Sequence, residues 1–125
     1  MKKYSGDFSI KTYGPNKLFN LNPYLSKYLH DRKGIIILSV KGSTGGLLRL
    51  PKDESIKKTF EKDLWDLISV YGWTHPGNAY AHLRSTLIGT WLALPLNCLD
   101  DYNIYFLENQ ATINRYRKIS FVVIS

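Results

Sequence analysis

The sequence predicts a single α+β domain over residues 1–125, a mostly antiparallel sheet packed with one short and one long helix. Three observations predict it. Short β-branched and aromatic runs recur between glycine and proline turns. Two stretches carry apolar residues at helical spacing. These helical stretches stand apart from the runs of strands, as in an α+β layout. A chain of this length buries roughly two thirds of its unfolded surface, enough for one core.

Residues 4–13, YSGDFSIKTY, alternate in part and read as an N-terminal strand, closed by the turn Gly14-Pro15-Asn16. Asn22-Pro23 pairs an N-cap with a proline at the first helical position. Leu21, Leu25, Tyr28 and Leu29 then give a short amphipathic helix over 23–30, ended by Asp31 to Gly34. Gly34-Ile-Ile-Ile-Leu-Ser-Val-Lys41 reads as a central strand. The turn Gly42-Ser43-Thr44-Gly45-Gly46 and the run Leu47 to Leu50 make residues 35–50 a hairpin or a bulged pair.

The clearest helix covers 54–70. Ile56, Phe60, Leu64, Leu67 and Ile68 share one face, Lys57, Lys58, Glu61, Lys62 and Asp66 the other, and Ser55 is the expected N-cap. Strands follow at Trp91 to Leu96, Ile104 to Leu107 and Ile119 to Ile124, with a loop from Asn97 to Asn103.

Composition narrows the function. Cys98 is the single cysteine, which excludes an internal disulfide and a cysteine-based zinc site; its apolar neighbours mark a buried small hydrophobe. No run approaches the roughly 18 apolar residues of a membrane helix, and no apolar stretch follows the two N-terminal lysines, so a cytoplasmic protein is expected. The net charge is +7, spread along the chain rather than gathered in an arm. Such a surface suits phosphorylated metabolites and other anions. Nucleic acid is the weaker partner, because no recognition helix or basic arm stands out.

Two segments carry candidate chemistry. In the 42–46 turn, glycines allow close backbone approach and Ser43 and Thr44 add hydroxyl donors, so the turn reads either as an anion cradle or as a plain connection. The stretch THPGNAYAHLRSTLIGT, residues 74–90, holds His75 and His82. Pro76-Gly77 argues against one helix through both histidines, and on such a helix they would lie about 10 Å apart, too far for one metal. Taken as extended, the segment points His82 and Arg84 to one side, a combination suited to phosphate or carboxylate. His30 reads as a helix-end residue, and Asp100-Asp101 as loop acids. Trp65, Trp73 and Trp91 read as core or interface residues.

GIIILSVKGSTGGLL, an amphipathic helix, and then HPGNAYAHLRSTLIGTWLALPL resemble the YjbQ-like family, described as secondary thiamine-phosphate synthases. Gly77, Asn78, His82, Leu83, Arg84, Leu87, Ile88 and Gly89 match its most specific segment. The resemblance spans residues 5–96. Departures fall at Gly42, at Pro76 and at Asn114-Arg115-Tyr116-Arg117.

The resemblance implies an α+β fold and a homotrimer with pockets near subunit contacts, one of them faced by His82. It implies a transferase joining two phosphorylated precursors. Phosphates would be held by Ser43, Thr44, Asn78, Arg84 and Arg117, with Arg115 as a substitute for Arg117. His82 would act as general acid, or as a metal ligand with His75, and the metal would be Mg or Zn. The competing expectation is a catalytically silent, oligomeric ligand-binding or scaffolding protein of the same fold.

Overall fold

The computed structural model describes residues 2–29, 33–67 and 79–125. Among these residues, seven strands form two antiparallel sheets. The first sheet orders β1 (Lys3–Thr12), β7 (Arg115–Ile124), β3 (Ile35–Val40) and β5 (Trp91–Pro95) as β1-β7-β3-β5. The second orders β2 (Lys17–Asn20), β6 (Tyr102–Glu108) and β4 (Gly45–Pro51) as β2-β6-β4. The helices are α1 (Asn22–Leu29), α2 (Glu54–Leu67) and α3 (Ala79–Ile88), and a 3-10 turn spans Leu96–Asp100.

The main core lies between the sheets. Phe8, Ile10, Ile36, Leu38, Leu94, Ile119, Phe121 and Val123 face it from the first sheet, and Leu47, Ile104 and Phe106 from the second. Helix α1 closes this layer with Leu25 and Leu29, and Phe8 stacks on Tyr24 and Tyr28. A second cluster, Leu18, Leu64, Tyr105 and Leu107, lies between the outer side of the second sheet and α2. Burial of these side chains, at about 25 cal/mol per Å² of apolar surface, is the main driving force for the layering.

The expected α+β domain is therefore observed, with two sheets in place of one. The expected 35–50 hairpin is corrected: β3 pairs with β5 and β7, whereas β4 pairs with β6. The 41–44 turn carries the chain from one sheet to the other, and Gly42, at φ +115°, sits in a region that side chains avoid. Ile36 and Leu38 then face Leu47 across the core instead of beside it.

The extended reading of 82–84 is corrected as well, because these residues lie within α3. Ala81, Ser85 and Ile88 recur at helical spacing, and Ile88 packs against the second cluster. Ser85 Oγ donates to the carbonyl of Gly45 at 2.5 Å, tying α3 to β4.

The expected Ser55 cap is replaced by Asp53. Its Oδ1 accepts from Ser55 N at 2.9 Å and Ser55 Oγ at 2.7 Å. These bonds, led by that from the Ser55 hydroxyl, hold the Asp53 carboxyl below its ordinary value. Cys98 is half-buried rather than buried, and Arg49 Nη1 donates to its sulfur at 3.3 Å. His30 and the end of the expected helix, residues 68–70, lie outside the described residues.

Candidate functional site

Alternation along β7 puts Arg115 and Arg117 on the face that Ile119, Phe121 and Val123 present to the core. A cation in that register needs a buried partner. Glu108, the last residue of β6, supplies it. Arg117 Nε donates to Oε1 at 2.8 Å and Nη2 to Oε2 at 2.5 Å, a side-on bidentate pair. The Glu108 carboxylate is 0% exposed.

The pair sits in a wider polar cluster. Thr12 Oγ1 donates to Glu108 Oε1 at 2.7 Å, and the N–H of Gln110 reaches Oε2 at 3.3 Å. Arg117 Nη2 also donates to Thr44 Oγ1 at 2.8 Å. Thr44 Oγ1 donates in turn to Gln110 Oε1 at 3.3 Å, which also accepts from Arg115 Nη1 at 2.8 Å. The carbonyl of Thr44 accepts from Asn109 N at 3.1 Å. Four chain segments, the ends of β1 and β6, the start of β7 and the turn before β4, thus converge on one point at the rim of the sandwich.

Among the residues expected to bind phosphate, Thr44 and Arg117 meet here, with Ser43 exposed on the same turn. Arg115 joins them through Gln110. Arg84 is held elsewhere. It is 1% exposed, its guanidinium lies 4.4 Å from the ring centre of Trp65 and 5.1 Å from that of Tyr80, and Nη2 donates to the carbonyl of Trp65 at 3.3 Å. In this arrangement Arg84 fastens α3 to α2.

His82 is half-buried on α3, one turn before Ser85. His82 and Arg84, at i and i+2 on a helix, do not share a face, which removes the same-side pairing expected from an extended segment. His75 and Asn78 lie outside the described residues.

Among the described residues, no three His, Cys, Asp or Glu side chains converge in a metal-binding group. The only carboxylate of the rim cluster, Glu108, already accepts from Thr12, Gln110 and both nitrogens of Arg117. It does not fit a metal ligand. A Mg or Zn site would have to draw on His82 and on residues outside this cluster.

Sequence reasoning missed Glu108, Thr12 and Gln110. The available signal was register. Arg-x-Arg at 115–117 continues the core-facing row of β7, and a lone glutamate closes the apolar run Ile-Tyr-Phe-Leu. An arginine in a core register calls for an acid in one.

Comparison with solved structures places the fold. A YbjQ-like protein of unknown function from Sulfolobus solfataricus superposes with a TM-score of 0.82 at 18% identity, over 98% of this chain and 96% of that one. A hypothetical protein from Aeropyrum pernix gives 0.80 at 18% identity, over 98% of each chain. An uncharacterised conserved protein of the YjbQ/UPF0047 family from Clostridium acetobutylicum gives 0.78 at 19% identity, over 94% of this chain and 98% of that one. The chain has the fold of these proteins from end to end. No family model and no curated protein matches the sequence.

Proposed function

We propose that this chain is a divergent, cytoplasmic YjbQ-like protein that acts on a phosphorylated small molecule at the rim where Arg115, Arg117, Thr44 and Gln110 converge. One observation carries the reading: two guanidiniums and a hydroxyl meet at a glycine turn, fixed by hydrogen bonds before any ligand arrives. Pre-positioned charge-assisted donors are what recognition of a phosphate requires. In a transferase they would also stabilise charge developing on a departing phosphate. Arg84 contributes by holding α3, and so His82, in place. His82 is the group we assign to proton transfer, with His75 as its partner at any metal.

The working form is a homotrimer. The outer face of the first sheet supports an assembly. Ile35, Ile37, Trp91, Ala93, Pro95, Val122 and Ile124 lie in neighbouring register positions on that face, and Trp91 is 66% exposed. Helices α2 and α3 lie on the far side of the molecule, against β2 and β4. A contiguous apolar face of this kind calls for a protein partner, and a second copy of the same chain supplies one.

The test is thiamine-phosphate formation from the two phosphorylated precursors with Mg²⁺, using wild type beside His82→Ala and Arg117→Lys. Product that disappears in both variants supports the reading. Folded wild type that binds a precursor without turnover points instead to a silent ligand-binding oligomer. Folded wild type that neither binds nor turns over either precursor removes the proposal.

A further inference from the structure

We propose that Gly42 and the Nη1 edge of Arg117 form a notch for one oxyanion, the terminal phosphoryl oxygens of the ligand, and that Glu108 is the positioning residue that aims this edge. This rests on the reading that the rim binds a phosphorylated molecule, and it names the atoms and the logic of that site.

Hydrogen-bond accounting comes first. Nε and Nη2 of Arg117 are taken by Glu108, and Nη2 also serves Thr44. Nη1 appears in none of the hydrogen bonds among the described residues. It lies beside Gly42: a Cβ built on that residue would stand 3.6 Å from Nη1, and apart from the chain neighbours Lys41 and Ser43 no other atom of the described residues comes within 4 Å. The φ of +115° at Gly42 keeps side chains out of this space. The N–H groups of Gly42, Ser43 and Thr44 are likewise donors in no hydrogen bond among the described residues. Successive unbonded N–H groups in a turn form a cradle for an anion. The outward edge of a guanidinium completes it.

Charge comes second. Glu108 is fully buried and ion-paired, so it cancels the charge of Arg117. Arg115 is the remaining cation of the cluster. The notch therefore holds an anion chiefly by the direction of its donors rather than by net charge. That suits a single tetrahedral oxyanion group. The Glu108 carboxylate is fully buried and, among the described residues, accepts from Thr12, Gln110 and Arg117, so it orients without touching the ligand.

These two arguments give an experiment with opposite signs. Glu108→Gln keeps the shape and removes one negative charge. If net charge governs binding, inorganic phosphate binds this variant more tightly. If Glu108 aims Arg117, phosphate binds it more weakly, by about tenfold, in spite of the added charge. The measurement is a phosphate titration of the full chain at fixed ionic strength, followed by NMR at the Arg117 Nε–H and at the backbone amides of residues 42–44 and 110.

Wild type is expected to move Arg117 and the 42–44 amides together. Gly42→Ala, which sets a methyl 3.6 Å from Nη1 and strains the turn at its positive φ, is expected to abolish that response while Gln110 and the amides outside the turn keep their wild-type shifts. Phosphate that moves Gln110 but not the 42–44 amides overturns the notch and leaves the rim reading standing. Equal or tighter binding by folded Glu108→Gln overturns the positioning role. Should that variant not fold, Glu108→Asp decides, since it keeps the charge but withdraws the carboxylate from Nε and Nη2 of Arg117; unchanged affinity there overturns the role. Wild type that binds no phosphate removes both this proposal and the reading beneath it.

Discussion

Arg117 and Glu108 form a side-on ion pair at the rim of the sandwich, with Nε–Oε1 at 2.8 Å and Nη2–Oε2 at 2.5 Å, and both side chains are shielded from solvent. A pair of this kind is costly to break from one side, because the surviving charge stays buried. Arg117→Met alone is expected to lower stability by about 3–5 kcal/mol in urea unfolding. Adding Glu108→Leu should recover much of that loss. A double variant as unstable as the single one would show that the pair holds the fold by more than mutual neutralisation.

Asn109 offers the reverse case. It is 0% exposed, and neither Oδ1 nor Nδ2 has a hydrogen-bond partner among the described residues. Unsatisfied buried polar atoms are destabilising. Asn109→Leu, similar in volume, is expected to raise stability by about 1 kcal/mol or more. Thermal unfolding without ligand reads this directly, and a lower midpoint would refute it.

Arg84 lies over the rings of Trp65 and Tyr80. Trp65→Leu keeps an apolar side chain but removes the better cation-binding face, and should cost about 1–2 kcal/mol. The loss should appear as faster amide exchange in α3 before it appears elsewhere. Unchanged protection of α3 would separate Arg84 from the docking of that helix.

Val122 sits mid-row on the outer face of the first sheet, beside Ile37 and, beyond it, Ala93. If the proposed homotrimer forms through this face, wild type should scatter as three times 14.4 kDa and Val122→Lys as a folded chain of 14.4 kDa. A variant that keeps the wild-type mass would move the contact to another surface.

The Asp53 cap makes the start of α2 pH-sensitive. The folded carboxyl has a lowered pKa, chiefly through the Ser55 hydroxyl bond. Its contribution is therefore full above the unfolded carboxyl value, near pH 4, and is lost as pH falls through the folded value. The Ser55 amide should exchange faster across that window, and Asp53→Asn should flatten the response.

Local patterns in the sequence carried most of the elements. β1, α1 and α2 follow from spacing, because their apolar faces repeat with a single period. The expected caps did not hold, since Asn22 lies within α1 with its side chain bonded to Tyr102 and Ile104, and Asp53 takes the place of Ser55. The hairpin expectation for β3 and β4 failed for a physical reason. Two apolar runs joined by a glycine turn look alike whether they lie side by side or face one another across a core. Helix α3 was missed because Pro76-Gly77 and a mixed composition hide its buried side, Ala81, Ser85 and Ile88. At the site, Thr44 and Arg117 were named as ligand residues, but Glu108, the partner that holds Arg117, was not. A lone acid at the end of a strand gains meaning only when another strand, from elsewhere in the chain, sets an arginine against it.

The longest pairing in the protein joins its first strand to its last. Lys3 lies opposite Ile124 and Thr12 opposite Arg115, and Lys2 and Ser125 exchange backbone hydrogen bonds. During synthesis, β1 emerges from the ribosome about a hundred residues before β7, the strand that receives it. That strand is also the one that joins β1 to β3, so the first sheet closes late and in one step. Proteins dominated by such distant pairings fold slowly. The same adjacency suits the domain to circular permutation: a short linker from Ser125 to Lys2 would turn this distant contact into a local one, and should speed refolding in stopped-flow without disturbing the rim where Arg117 meets Glu108.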